Sequence, residues 1–126
     1  MTTQITDSGA RAVLALRSME ANAFRVSQVT TRLLDEHTDL PPLISVRPQA
    51  TATAATLDLQ TSTIDEAREW AAALGADLMV REQDEPGGRM ADANLCVDGV
   101  IVHVCAFTRF TVQEKAERAS TAAVAA

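Results

Sequence analysis

The pair Asp98-Gly99 restricts the fold of this chain more than any other two residues. A two-residue hairpin turn needs positive φ at its centre, which Asp and Gly supply, and it fixes the register of both flanking strands. With the turn there, Val97 faces Val100, Leu95 faces Val102 and Ala93 faces Val104. That face is apolar throughout and belongs to the core. The opposite face carries Asn94, Cys96, Ile101, His103, Cys105 and Phe107. Antiparallel strands with a single apolar face imply a sheet covered on one side only.

A long helix precedes this hairpin. Over residues 8–37, Ala12, Leu16, Met19, Ala23, Val26, Thr30 and Leu33 recur at alternating spacings of four and three, one continuous apolar seam. Phe24, Val29 and Leu34 widen it, and Asp7 or Ser8 can cap its start. Leu40-Pro41-Pro42 forces the chain out of helix. Thirty residues span ~45 Å, more than a small sheet can cover. Either the helix breaks near Asn22, its one weak point, or something besides the sheet buries part of the seam. A second copy of the chain is the economical answer.

Between these elements, Ile44 and Val46 alternate with polar residues, as do Leu57 and Leu59, so two strands flank a connection over Pro48–Ala55. Thr63 and Glu66 form a capping box for a second helix with Ile64, Ala67, Trp70, Ala71 and Leu74 on one face, and Gly75 ends it. Leu78–Gln83 reads as a strand with Leu78 and Val80 inward, and residues 85–92 as a loop. Thr111 and Glu114 cap a short last helix, supported by a Glu114–Arg118 pair.

The reading is an α+β fold: a single domain over residues 1–120, order α-β-β-α-β-β-β-α, with a mostly antiparallel sheet and helices packed on one face. Residues 121–126, an Ala-rich tail, are expected to fray. The element order resembles that of profilin-like domains of the roadblock and longin type, which usually pair into dimers. The resemblance lies in element order alone.

Composition narrows the partners. Of 126 residues 47% are hydrophobic, but alanine dominates that share, and the only aromatic residues are Trp70, Phe24, Phe107 and Phe110. The core therefore rests on Leu, Val, Ile and Ala. Net charge is −6 and Lys115 is the only lysine. This Arg and Ala bias is that of high-GC bacterial coding, and the acidic balance works against phosphate backbones and anionic membranes. A polar start, no stretch of ~20 apolar residues and two cysteines outside any disulfide framework point to the cytoplasm.

Several groupings invite a function. Cys96, His103 and Cys105 share the outer hairpin face and are weak candidates for a metal, but structural zinc normally takes four ligands from prepared turns. In the hairpin register the two cysteines sit about four residues apart, ~13 Å, too far to bridge. His103 and Cys105 point the same way, yet no orienting acid or electropositive setting marks a nucleophile. Asp58 lies on a strand's polar face without a visible partner. Residues 85–92 lack phosphate-cradle spacing.

Arg11, Arg25 and Arg32 share one heptad position of the first helix, a basic stripe suited to a nucleic-acid or acidic-partner contact. Acidic residues on the same helix and the lack of stacking aromatics weigh against it. No catalytic residue, no cofactor and no metal is expected. The leading expectation is a non-enzymatic cytoplasmic accessory or adaptor domain that acts by protein–protein contact. Its partner is a protein or a second copy, met along the seam of Ala12, Leu16, Met19, Ala23, Val26 and Leu33. The alternatives are a small nucleic-acid-associated regulator using the Arg stripe, and a small-ligand or metal module on the outer face of the 93–107 hairpin.

Overall fold

The computed structural model describes residues 7–125, so Met1–Thr6 and Ala126 of the expected domain and tail lie outside the described residues. The elements are α1 (Asp7–Glu36), β1 (Leu43–Ala50), β2 (Ala55–Thr61), α2 (Ile64–Leu74), β3 (Met79–Gln83), β4 (Gly88–Val97), β5 (Val100–Arg109) and α3 (Val112–Ala125). The fold is α+β, with the element order read from the sequence. The strands form one sheet in the order β1-β2-β5-β4-β3. Two antiparallel units, the β1–β2 hairpin and the β3–β4–β5 meander, meet along the parallel pair β2–β5.

The Asp98-Gly99 turn has the required geometry, with φ of 48° and 81°. It sets the pairs Val97–Val100, Leu95–Val102 and Ala93–Val104. Across the parallel seam Leu57 pairs with Val102 and Leu59 with Val104, and all four are fully buried. α1 lies over β1 and β2, α2 over β5 and β4, and both cover this one face. α2 starts at the Thr63 cap, whose Oγ1 accepts from the Glu66 amide, and ends at Gly75 with φ 75°. Trp70 is buried beneath it, and its indole N–H donates to the Pro41 carbonyl (2.8 Å). The Pro-Pro break that ends α1 is thereby tied to α2.

Four local readings need correction. Residues 88–92 are not loop but the start of β4, and only 84–87 turn. Gly87 takes the positive φ of the turn, whereas Gly88 is a ladder residue. A Cβ on Gly88 would lie 2.6 Å from the Phe107 ring and 2.4 Å from the Thr108 carbonyl, so this glycine is required by close approach rather than by turning. The connection between β1 and β2 shrinks to 51–54, held by the Thr51 hydroxyl accepting from the Thr53 and Ala54 amides. Val80 shares the core face by register with Ala91 but stays exposed, because β3 is the sheet edge. Ile44 is exposed where the β1–β2 register shifts.

α3 is helical to Ala125, through most of the Ala-rich tail, as the high helix propensity of alanine allows. Its Thr111–Glu114 capping box is present. The Glu114–Arg118 pair is not: Glu114 accepts from Arg89 (2.6 Å), while Arg118 donates to Glu82 and Asp84 (2.8 Å to Asp84). Bridging partners on another element outcompete the neighbour one turn away. Arg89 and Arg118 also stack on the Phe110 ring, at 5.1 and 4.3 Å. α3 is thus held to the sheet by ion pairs and one aromatic ring.

The core prediction is direct. Leu59→Ala removes a fully buried side chain from the parallel seam and is expected to cost about 2–5 kcal/mol, read as a lowered denaturation midpoint at unchanged m. Leu14→Ala, on an exposed turn of α1, leaves the midpoint within about 0.5 kcal/mol.

Candidate functional site

α1 does not break at Asn22. Its thirty residues form one helix, and Asn22 marks where the helix leaves the sheet. The Asn22 side-chain amide donates to the Thr51 carbonyl at the tip of the β1–β2 hairpin (2.9 Å) and its oxygen accepts from Arg25 (3.1 Å). From there to Glu36 the helix runs back along β1, burying Val26, Val29 and Leu33. Of the described residues, 7–21 continue the helix beyond that contact for ~22 Å and are exposed almost throughout, an arm of α1.

The seam foreseen from sequence is therefore split in two. Val26 and Leu33 are 4% exposed and belong to the domain's own core, so they cannot meet a partner. Ala12, Leu16, Met19 and Ala23 lie on or beside the arm in solvent. Leu16 is 55% exposed, Leu14 62% and Phe24 66%, with Val13 and Met19 also exposed. At 100° per residue Leu16 and Met19 share one stripe with Ala12 and Ala23, whereas Val13 and Phe24 lie on its flank and Leu14 on the opposite face. The arm keeps its helical form through Ala, Leu, Arg, Met and Glu, all strong helix formers, and Asp7 sits in its first turn. Because the arm continues a helix already nucleated and packed over residues 22–36, it needs only propagation.

The arginine stripe is also divided. Arg32 pairs with Asp98 (2.6 Å) and approaches Glu36, and the Arg25 side chain lies over Gly99, 3.2 Å from where a Cβ would stand. Two of the three arginines thus clamp α1 onto the β4–β5 turn. Arg11 alone of the three stands on the arm.

The outer sheet face holds the remaining candidates. Register sets Arg47, Asp58, His103 and Asn94 in one row across β1, β2, β5 and β4. His103 Nδ1 lies 3.5 Å from Asp58 Oδ1, so Asp58 has the partner that the sequence did not reveal. Parallel pairing of β2 with β5, a non-local contact, carries no signal in local periodicity. Cys105 pairs with Asp92, which accepts from Arg81 (3.0 Å).

Burial, and then the carboxylates of Asp58 and Asp92, push the Cys105 thiol up, with Arg47 acting the other way. A raised thiol is a poor nucleophile at neutral pH. Cys96 pairs with Ile101, and both cysteines are free. Among the described residues no three His, Cys, Asp or Glu side chains are gathered to hold a metal, the weak trio Cys96, His103 and Cys105 included. No helix among the described residues is long and apolar enough to cross a membrane.

Comparison with known proteins adds no relative. No protein-family model matches the chain, and neither the curated proteins nor the solved structures yield a match. The likeness to profilin-like domains accordingly stays one of element order.

Two measurements follow from these environments. Exposed Cys96 is expected to react with a thiol reagent at pH 7 before Cys105, whose thiolate fraction is suppressed; mass spectrometry of singly labelled protein reads the order. At the α3 latch, hydrogen bonds from Arg89 and then from the Thr111 amide hold the Glu114 carboxyl below its usual range. The folded value lies below the unfolded one, so the latch is complete at pH above the ordinary glutamate range. It is lost as pH falls through the depressed value. Relative to the intrinsic exchange rate at each pH, protection of the α3 amides should fall as the Glu114 carboxyl is protonated, while the β2–β5 core stays protected.

Proposed function

We propose that this chain is a non-enzymatic accessory domain that acts by protein–protein contact, self-associating through the α1 arm. The supporting observation is the arm itself: 15 helical residues beyond the sheet, with Leu16, Met19 and their apolar neighbours in solvent. An apolar stripe exposed on such a helix is a surface that a partner can bury. The reading is cytoplasmic, a setting in which two unbridged thiols persist.

Neither alternative has comparable support. A nucleic-acid contact by the Arg stripe would have to free Arg32 from Asp98 and lift Arg25 off the Gly99 turn. A ligand site on the outer sheet face would rest on an Asp58–His103 pair about one-third exposed, which lines none of the four best-formed cavities.

Light scattering over a concentration series tests the proposal. The wild-type chain is expected to approach twice its monomer mass by on the order of 100 μM, and Leu16→Glu to remain monomeric with an unchanged circular-dichroism spectrum. Val26→Glu is the wrong variant for this purpose, because it unfolds the domain. A wild-type chain that stays monomeric throughout the series sinks the reading.

A further inference from the structure

We infer that α3 is a salt-controlled strap: its helicity and its docking on the sheet form one transition, reversible while the five-stranded domain stays folded. The strap works independently of the self-association proposed above.

α3 is docked without apolar burial. Over residues 112–124 only Glu114 and Arg118 are half-buried, and Val112 and Val124 are 86% and 85% exposed. α1 is fixed by buried Val26, Val29 and Leu33, and α2 by Ala67, Trp70 and Ala71. Burial of that kind gives most helices their stability. α3 has ion pairs and the Phe110 ring in its place.

The two gripping side chains leave the helix together. Glu114 and Arg118 are one turn apart and so share a face. Arg118 donates to Glu82 and to Asp84 (2.8 Å to Asp84), and its guanidinium lies over the Phe110 ring. Glu114 meets Arg89, which also approaches Glu82 (3.8 Å). Past these grips, Thr121 and Ala122 face Glu82 and Asp84 across an open cleft of about 590 Å³.

One carboxylate couples docking to helix formation. Oε1 of Glu114 accepts from the Thr111 amide (3.2 Å) and closes the capping box, while Oε2 meets Arg89 (2.6 Å). The group that starts the helix is the group that holds it to β4. α3 follows a strand and inherits no helical nucleus, and 14 residues alone are marginal in water. Undocking therefore melts it. The chain ahead stays in place, because Phe110 is 6% exposed and its amide donates to the Gly87 carbonyl (3.1 Å). Thr111 is the hinge, and release lifts Arg118 off the Phe110 ring.

Salt is the natural release. The Debye length falls from ~10 Å at 0.1 M to ~3 Å at 1 M, and exposed ion pairs weaken accordingly. The apolar β2–β5 core has no such sensitivity.

Hydrogen exchange of the full chain, read by mass spectrometry at pH 7 in about 20 mM and about 1 M NaCl, tests the strap. Protection of the amides of residues 116–122 is expected to fall about threefold or more at high salt, with β2 and β5 unchanged. Arg89→Met alters the sheet side alone. It is expected to lower protection over the same residues already at low salt, and to leave little further response to salt. Protection of α3 that is indifferent to salt in the wild-type chain overturns the strap. So does protection that falls only together with that of β2 and β5. An Arg89→Met chain with wild-type protection over residues 116–122 separates helicity from docking and overturns the single transition.

Discussion

The structure depends on the parallel contact between β2 and β5. Leu57 and Leu59 on one strand and Val102 and Val104 on the other are fully buried, and each lies between an α-helix and the sheet's own neighbours. The two-stranded β1–β2 unit could not persist alone in water, and the three-stranded β3–β4–β5 unit would leave its apolar face uncovered. Joined here, they make five strands wide enough for two helices, and α1 and α2 close the same face. The remaining features are arranged around that joint: the Trp70 indole ties α2 to the end of α1, and Arg32 ties α1 to the β4–β5 turn.

Local signals in the sequence were sufficient wherever local chemistry decides. The Asp98-Gly99 turn, both capping boxes, the Gly75 helix end and the facing pairs of the β4–β5 hairpin could all be read from a few adjacent residues. Gly87-Gly88 misled, because two glycines suggest turning while one of them serves to admit the Phe107 ring. Arg118 misled similarly, since a neighbour at one helical turn looks sufficient until Glu82 and Asp84 arrive from β3 and its turn.

The candidate sites were less legible than the fold. The apolar seam of α1 was visible, but periodicity is blind to where a sheet ends, so Val26 and Leu33 could not be distinguished from Leu16 and Met19. The two groups now have different fates, one in the core and one in solvent. The Asp58–His103 contact was invisible for another reason: 45 residues separate its members, and only the parallel register brings them together. The arginine stripe was correctly placed on one helix face, yet the hairpin turn beneath two of its members lies far along the chain.

The absence of a break at Asn22 gives α1 the mechanics of a cantilever. Its root is fixed at two hairpin tips, through Asn22 to Thr51 and through Arg25 and Arg32 to the Asp98-Gly99 turn. Asp7, the first described residue, lies ~22 Å away, so a tilt of about 10° at the root sweeps it through about 4 Å, roughly three-quarters of a helical turn. Where the arm points is therefore set by the buried Val26, Val29 and Leu33 together with these polar contacts at the root.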